Sequence, residues 1–241
     1  MVALTPIPNQ TPPSEPGPSL ADRVMRLLER VDYRHAETPQ ERDDIFKLRY
    51  AAYLREGAIP ASPGERFSDS LDDTANAHIF GVYVDGALAS SIRLHVATRQ
   101  CSDLPALNVF ADLLSPEIAA GRVIVDPTRF VADRGASRRH PELPYVTTRL
   151  AWMASEFFGA NLLLATVRAE HQAFYRRVFG HRLICEPRHY PSLMKPISLM
   201  GLDYQLSRER VPQRYAFFRS TYFERRMLFA RAAGLGLRSA A

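Results

Sequence analysis

The stretch from Gly121 to Arg134, Gly-Arg-Val-Ile-Val-Asp-Pro-Thr-Arg-Phe-Val-Ala-Asp-Arg, restricts the architecture more than any other. Pro127 would break a helix and cannot donate to a sheet ladder, and the apolar run around it is a poor solvent-facing strand. What remains is a central strand with a bulge, a device that re-aims side chains and often lies beside an active site. Asp126 and Arg129 are costly inside such a run unless they are paired or used. Two readings follow: a buried Asp126–Arg129 salt bridge that only holds the fold, or two members of a functional site.

The rest of the chain arranges itself around this strand. Residues 1 to 18 carry six prolines and little hydrophobic mass, so residues 1–19 are expected to form an extended, disordered tail. Leu20, Val24, Leu27, Leu28 and Val31 fall at helical spacing and predict a lead-in helix over 20–31. Thr38-Pro39-Gln40-Glu41 combines a capping box with proline at the first helical position and predicts a helix from Thr38 to Glu56. Its buried stripe is Ile45, Leu48 and Ala52, with Arg49 and Tyr53 on a neighbouring face. An acidic turn, Phe67 to Thr74, leads into Ile79 to Val84, and Asp85-Gly86 signals a hairpin whose return strand, Ala87 to Val96, carries Arg93. Leu104 to Ala120 reads as irregular and then helical.

Past the central strand, Arg134 to Pro141 reads as a basic loop. A helix over Tyr145 to Phe158 stops at Gly159; Leu162 to Val167 is a buried strand; Ala169 to Phe179 is a helix ending at Gly180. His181 to Glu186 and Leu199 to Leu206 are the last strands, followed by one Arg-rich amphipathic helix from Arg208 to Ala232. The chain thus divides into the tail, an α/β domain over 20–206 and a C-terminal helix and tail over 207–241.

Composition narrows the function. The formal charge is +5, and only Lys47 and Lys195 among the 31 basic residues are lysine. Arginine grips carboxylates and phosphates in a planar fork, so the surplus fits an anionic partner as well as it fits coding bias. Cys101 and Cys185 have neither disulfide-framework nor metal-ligand spacing, and no metal site is expected. With no apolar signal segment and no stretch near the roughly 18 apolar residues of a membrane span, a cytoplasmic location is expected. Cys185 reads as a small buried hydrophobe and His78 and His171 as structural; no nucleophile elbow appears. Basic and aromatic residues interleave in the terminal helix, but no nucleic-acid reading module accompanies them.

Helix, acidic turn, hairpin, a strand reading acid-x-x-Arg-Phe, helix, strand and a His-x-x-x-Tyr helix together resemble the GNAT acyltransferase fold in its acyl-carrier-protein-using branch. The resemblance is closest to the FeeM-type N-acyl amino acid synthases, with acyl-homoserine-lactone synthases as cousins, and covers roughly residues 33 to 206. Arg49 and Tyr53 match an opening Arg-x-x-x-aromatic motif, Asp69 and Asp72 the paired acids, and Arg93 the hairpin arginine. Asp126-Pro127-Thr128-Arg129-Phe130 resembles Glu-x-Ser-Arg-Phe. The runs His171 to Gly180 and Pro187-Arg188-His189-Tyr190-Pro191 resemble the FeeM type specifically. Asp126 stands where the family usually has Glu, one methylene longer, which makes a relaying water more useful. The tryptophan usual in lactone synthases is missing from Glu56-Gly57-Ala58-Ile59, and Arg134 to Pro141 lacks the glycine-rich pyrophosphate loop of the acetyl-CoA branch.

The resemblance implies a central mixed sheet flanked by helices and aminolysis of a thioester. A long-chain acyl group would pass from acyl carrier protein to the amino group of an amino acid, with no permanently bound cofactor. Asp126 would be the base, directly or through water, and a backbone N–H of Thr128, Arg129 or Phe130 would meet the oxyanion. Tyr175 would protonate the leaving thiolate, and Arg129, Arg49 or Arg93 would hold the acceptor carboxylate. Arg134, Arg138 and Arg139 would dock the acidic carrier protein. Alternatives are a homoserine-lactone-type synthase, a CoA-dependent N-acetyltransferase, or a basic binding module. Peripheral membrane contact through the product or the C-terminal helix stays open.

Overall fold

The computed structural model describes residues 17–191 and 193–235. Most of the expected tail lies outside the described residues. Helix α1 (Leu20–Leu28) starts at a capping box in which Ser19 accepts from the Asp22 N–H. It ends three residues earlier than the apolar spacing suggests, because Val31 opens a strand instead. Strand β1 (Val31–His35) alternates half-buried Val31, Tyr33 and His35 with exposed Asp32 and Arg34, a period of two that the helical reading of Val31 had hidden. Its exposed charges suit a sheet edge.

Helix α2 (Pro39–Arg55) begins where the sequence says, with Thr38 Oγ1 accepting from Glu41 N and the Glu41 carboxylate accepting from Thr38 N. Strands β2 (Ala77–Val84) and β3 (Ala87–Ala97) are joined at Asp85-Gly86, both with positive φ, as a two-residue primed turn requires. After α3 (Leu107–Ala119) comes β4 (Ile124–Ala132), then α4 (Arg134–Arg139), α5 (Leu143–Phe157), β5 (Leu162–Val167), α6 (Gln172–Val178), β6 (Arg182–Arg188) and β7 (Ile197–Asp203). One seven-stranded mixed sheet results, in the order β1-β2-β3-β4-β5-β7-β6, with β4 at its centre.

Two sheet features position everything described below. Strand β4 bulges: Arg129 and Phe130 together stand opposite Ile92 of β3, between the pairs Ser91–Val131 and Arg93–Thr128. Strands β4 and β5 run parallel but pair only at Ile124–Leu162 and Val125–Leu163, so beyond those residues the two strands diverge. On one face of the sheet, α1, α5 and the C-terminal segment cover Ile92, Leu94, Val96 and Val125. The alternate residues of β3, Ser91, Arg93 and His95, are also buried, and Arg93 and His95 bond to the acidic turn on the other side.

The segment Arg134–Arg139 is a short helix and not a loop, because the Asp133 side chain accepts from the Ala136 N–H and caps it. The single C-terminal helix expected from Arg208 is also corrected. The chain forms α7 (Tyr204–Ser207), α8 (Arg210–Arg214), a turn at Ala216–Phe218 and α9 (Tyr222–Leu235). A continuous helix would drive adjacent Phe217 and Phe218 in different directions; the break buries both, each 1% exposed. Arg149, buried in α5, donates to the carbonyls of Phe217 and Arg219 left over by that break and pairs with Glu224. Phe217, Phe218 and Phe229 therefore belong to the same core as α5. Among the described residues no helix is long and apolar enough to cross a membrane.

Fully buried Phe229 packs on Phe80, Phe157 and Phe158. Phe229→Ala should cost about 3–5 kcal/mol in urea unfolding. Tyr222→Ala, on the exposed face of the same helix, should stay within about 0.5 kcal/mol.

Candidate active site

By strict alternation Arg129 would share the face of Val125 and Pro127. The bulge turns it to the side of Thr128, at a φ of +53° that an L residue adopts at a cost of roughly 1–3 kcal/mol. There its Nη2 donates to Asp69 Oδ2 at 2.5 Å, and its guanidinium lies 4.3 Å from the ring centre of Phe67 and 5.6 Å from that of Tyr53. Asp69 Oδ1 accepts from Arg93 Nη1 at 2.6 Å, while Arg93 Nε donates to Thr128 Oγ1 at 3.2 Å. Asp72 Oδ1 takes Arg49 Nη1 at 2.7 Å and lies 3.0 Å from Arg93 Nη1.

Five residues proposed from sequence, Arg49, Asp69, Asp72, Arg93 and Arg129, thus form one network, buried except for half-buried Asp69. The Asp126–Arg129 pair does not form; Arg129 pairs with Asp69 instead. Arg49 is fully buried behind Asp72 and does not ride at the core margin as an arginine at a helix edge usually does. Burial pushes both carboxyl groups upward, but the arginines outweigh it and hold Asp69 and Asp72 below the usual carboxylate range. Three guanidinium groups against two carboxylates leave one positive charge in surplus, in a low-dielectric setting where an anion is strongly favoured.

The wedge between β4 and β5 opens as a cleft of about 430 Å³. Its floor is Pro127 to Ala132, one wall is Tyr53 to Glu56 at the end of α2, and the other is Thr166 to Arg168 with Phe174 and Tyr175 of α6. Thr128, Arg129, Phe130, Tyr53 and Tyr175 all reach it, as the sequence suggests. Beyond Val125 and Leu163 the facing edges of β4 and β5 have no ladder partner in each other, so backbone amides of the bulge can face a ligand. Burial raises the Tyr175 hydroxyl above its ordinary value, keeping it a proton donor at neutral pH.

Asp126 is completely buried and is not part of the cleft wall. Its Oδ2 accepts from the Ala106 N–H at 3.1 Å, and Oδ1 has no hydrogen-bond partner. Burial pushes the carboxyl up to about 7, opposed by the Ala106 N–H, Arg93 and Thr166. Thr166, which sequence reasoning overlooked, lines the cleft beside it. Also overlooked were Arg168 and Lys195 at the rim: Arg168 pairs with Glu56 and His171, and Lys195 Nζ donates to the Glu56 carbonyl at 3.1 Å. His171, read as structural, is an exposed member of the cleft wall. Arg134, Arg138 and Arg139 lie exposed on α4, whose Ser137 enters the cleft.

Residues 44–203 match the family model of N-acyl amino acid synthase FeeM. Among solved structures, the FeeM synthase from uncultured soil microbes is similar at a TM-score of 0.63 and 19% identity, over 75% of this chain and 94% of that one. The homoserine-lactone synthase LasI gives 0.53 and 16%, over 73% and 93%. The CoA-dependent homoserine-lactone synthase BjaI, bound to S-adenosylmethionine and isopentyl-CoA, gives 0.52 and 15%, over 77% and 89%. Identities this low speak for the fold alone. No curated protein matches the chain.

Removing one carboxylate from the network strands buried guanidinium charge. Asp72→Asn should therefore cost about 3–5 kcal/mol in chemical unfolding at pH 7. The folded-state carboxyls of Asp69 and Asp72 lie below their unfolded values, so their stabilisation is present above about pH 4 and is lost as pH falls through the folded values. The wild-type protein should lose stability on acidification below about pH 4, and Asp72→Asn should show a shallower acid limb.

Proposed function

The chain belongs to the FeeM family of N-acyl amino acid synthases, and on that premise we propose that it moves a long-chain acyl group from an acyl-carrier-protein thioester to the amine of an amino acid. Its fold is the GNAT-like acyltransferase fold. The observation that carries the reading is the apolar wedge between β4 and β5, which ends on a bulge flanked by a cationic network on one side and a buried carboxyl near 7 on the other. An extended thioester arm fits between two diverging strands, where unpaired amides can hold it by β-type hydrogen bonds.

The reaction needs a base, an oxyanion donor and an acid. The acceptor amine gives up a proton toward Asp126, through the Thr166 hydroxyl or a water, since Asp126 itself stops short of the cleft. The amine nitrogen then bonds the thioester carbon, and the carbonyl oxygen takes the negative charge beside the bulge amides of Thr128 to Phe130; Pro127 has none to offer. When the C–S bond breaks, the thiolate takes the Tyr175 hydroxyl proton, and the products are an N-acyl amino acid and a free carrier thiol. Of the three candidate arginines, Arg129 borders the cleft and is the natural partner of the acceptor carboxylate; Arg49 and Arg93 buttress it. The exposed arginines of α4 offer an acidic carrier protein a landing surface next to Ser137.

Incubation with palmitoyl-acyl carrier protein and mixed amino acids should release free thiol and yield an N-palmitoyl amino acid by mass spectrometry. Acyl-homoserine lactone as the product, or robust turnover of acyl-CoA at high salt, would overturn the reading. Asp126→Asn should lower kcat by roughly 10²–10⁴ and abolish a rising limb of rate with pH centred near 7. Its stability signature is opposite in sign to that of Asp69: the folded value lies above the unfolded one, so burial costs most above pH 7 and least below pH 4, and the variant should gain relative to wild type as pH rises. Thr166→Val should lose rate and Thr166→Ser should recover most of it. Arg138→Glu with Arg139→Glu should raise KM for acyl carrier protein more than for an acyl-pantetheine surrogate.

A further inference from the structure

Strands β3 and β4 place His95 directly opposite Asp126, with Arg93 opposite Thr128 on the same face. The bond from Arg93 Nε to Thr128 Oγ1 shows that side chains of such opposed residues meet there. Opposed residues of an antiparallel pair keep their Cβ atoms roughly 4.5–5.5 Å apart, within reach of a carboxyl and an imidazole directly or across one water. His95 and Asp126 are both fully buried. Each carries one buried polar atom, Nδ1 of His95 and Oδ1 of Asp126, that no described residue hydrogen-bonds. The reaction described above gives His95 no task.

The tautomer of His95 is fixed by its other nitrogen. Nε2 lies 2.9 Å from the Leu71 carbonyl oxygen, which can only accept, so Nε2 carries the hydrogen. Thr74 Oγ1, 3.1 Å from the same nitrogen, gives its own hydrogen to the Leu71 carbonyl and is left as an acceptor. Burial and Arg93 push His95 down to about 3, against the pull of Asp69 and Asp72 in the acidic turn, so the ring is neutral at ordinary pH. Its Nδ1 is therefore a lone pair in want of a donor. An ionised Asp126 has no hydrogen to give, whereas a protonated one does, and both orphaned atoms then gain a partner in one step. The Ala106 N–H, Arg93 and Thr166 pull Asp126 toward its ionised form against burial, and Tyr190 of the β6–β7 connection feels its charge.

Resting on the role of Asp126 proposed above, we infer that His95 is a positioning residue for the base: its Nδ1 accepts the hydrogen of protonated Asp126, directly or through one water, and so helps Asp126 hold the proton taken from the acceptor amine. No proton passes to the ring. The bond that forms is Asp126 O–H to His95 Nδ1, and it is lost when the carboxyl gives its proton up. Removing that acceptor disfavours the acid form and lowers the pH at which Asp126 ionises.

His95 does not itself titrate between about pH 5 and about pH 9, so a change in its Nδ1 resonance over that range reports a neighbour. In isotope-labelled wild-type protein, the Nδ1 signal, assigned through the ring protons in long-range proton–nitrogen NMR, should move downfield as pH rises, with a midpoint near 7. It should stay fixed in Asp126→Asn, whose amide does not titrate. The second readout is the pH profile of turnover. His95→Gln keeps an amide hydrogen for the Leu71 carbonyl but has no acceptor in place of Nδ1, and it should move the midpoint of the rising limb down by about one pH unit. An Nδ1 signal that does not move, or that moves alike in Asp126→Asn, overturns the inference, and so does a His95→Gln limb at the wild-type midpoint. The NMR titration needs no substrate, so a failure of acyl transfer would remove the synthase reading while the titration still decides the pairing of His95 with Asp126.

Discussion

The rest of the site depends on the carboxylate of Asp69, which bridges Arg93 of β3 and Arg129 of the β4 bulge at 2.6 and 2.5 Å. A guanidinium buried against a sheet is tolerated only if its charge is met, and an arginine at positive φ persists only if its surroundings fix it there. Asp69 meets both requirements. It is itself placed by a capping box in which the Asp72 carboxylate accepts from the Asp69 N–H, and Asp72 in turn answers fully buried Arg49 of α2. Helix α2, the acidic turn, the hairpin and the central strand are thus locked by charge where apolar packing alone would allow sliding.

Such a network is poor evidence for extra stability, because desolvation offsets most of what the pairs contribute. Its consequence is geometric. The bulge moves Arg129 to the side of Thr128, and the divergence of β4 from β5 opens a cleft over the same residues. In the proposed reaction an apolar cleft ending on a cationic floor would separate the two ends of the chemistry: the acyl chain would lie against Phe130, Phe174 and Ile197, and the charged acceptor against arginine. Asp126 sits one residue behind that floor, where burial raises it into the range useful for taking a proton at neutral pH.

Much of this was legible in the chain. Local rules, each needing only a few adjacent residues, gave the α2 start at Thr38, the Asp85-Gly86 hairpin and the ends of α5 and α6 at Gly159 and Gly180. The bulge in β4 was legible because Pro127 and Arg129 interrupt an apolar run. What escaped was non-local. Strand β1 was hidden because Val31 fits a helical period as well as a strand, and only β2 beside it decides. The C-terminal break was hidden because adjacent Phe217 and Phe218 signal nothing until a core exists for both, with Arg149, 68 residues earlier than Phe217, to receive the freed carbonyls. Thr166, Arg168 and Lys195 carried no motif and became site residues only through the cleft.

The sequence by itself determined that Asp126 and Arg129 lie in a run that reads as buried, where neither can be left without a partner or a use away from water. It also determined the element order that makes β4 central. Only the tertiary structure decided the pairing, exchanging the short-range Asp126–Arg129 bridge for a bond across 60 residues from Arg129 to Asp69. The reason is the one extra residue in β4: it rotates Arg129 off the alternation that sequence spacing assumes, which leaves Asp126 without an ion pair, so that burial outweighs the pull of Arg93 and raises it.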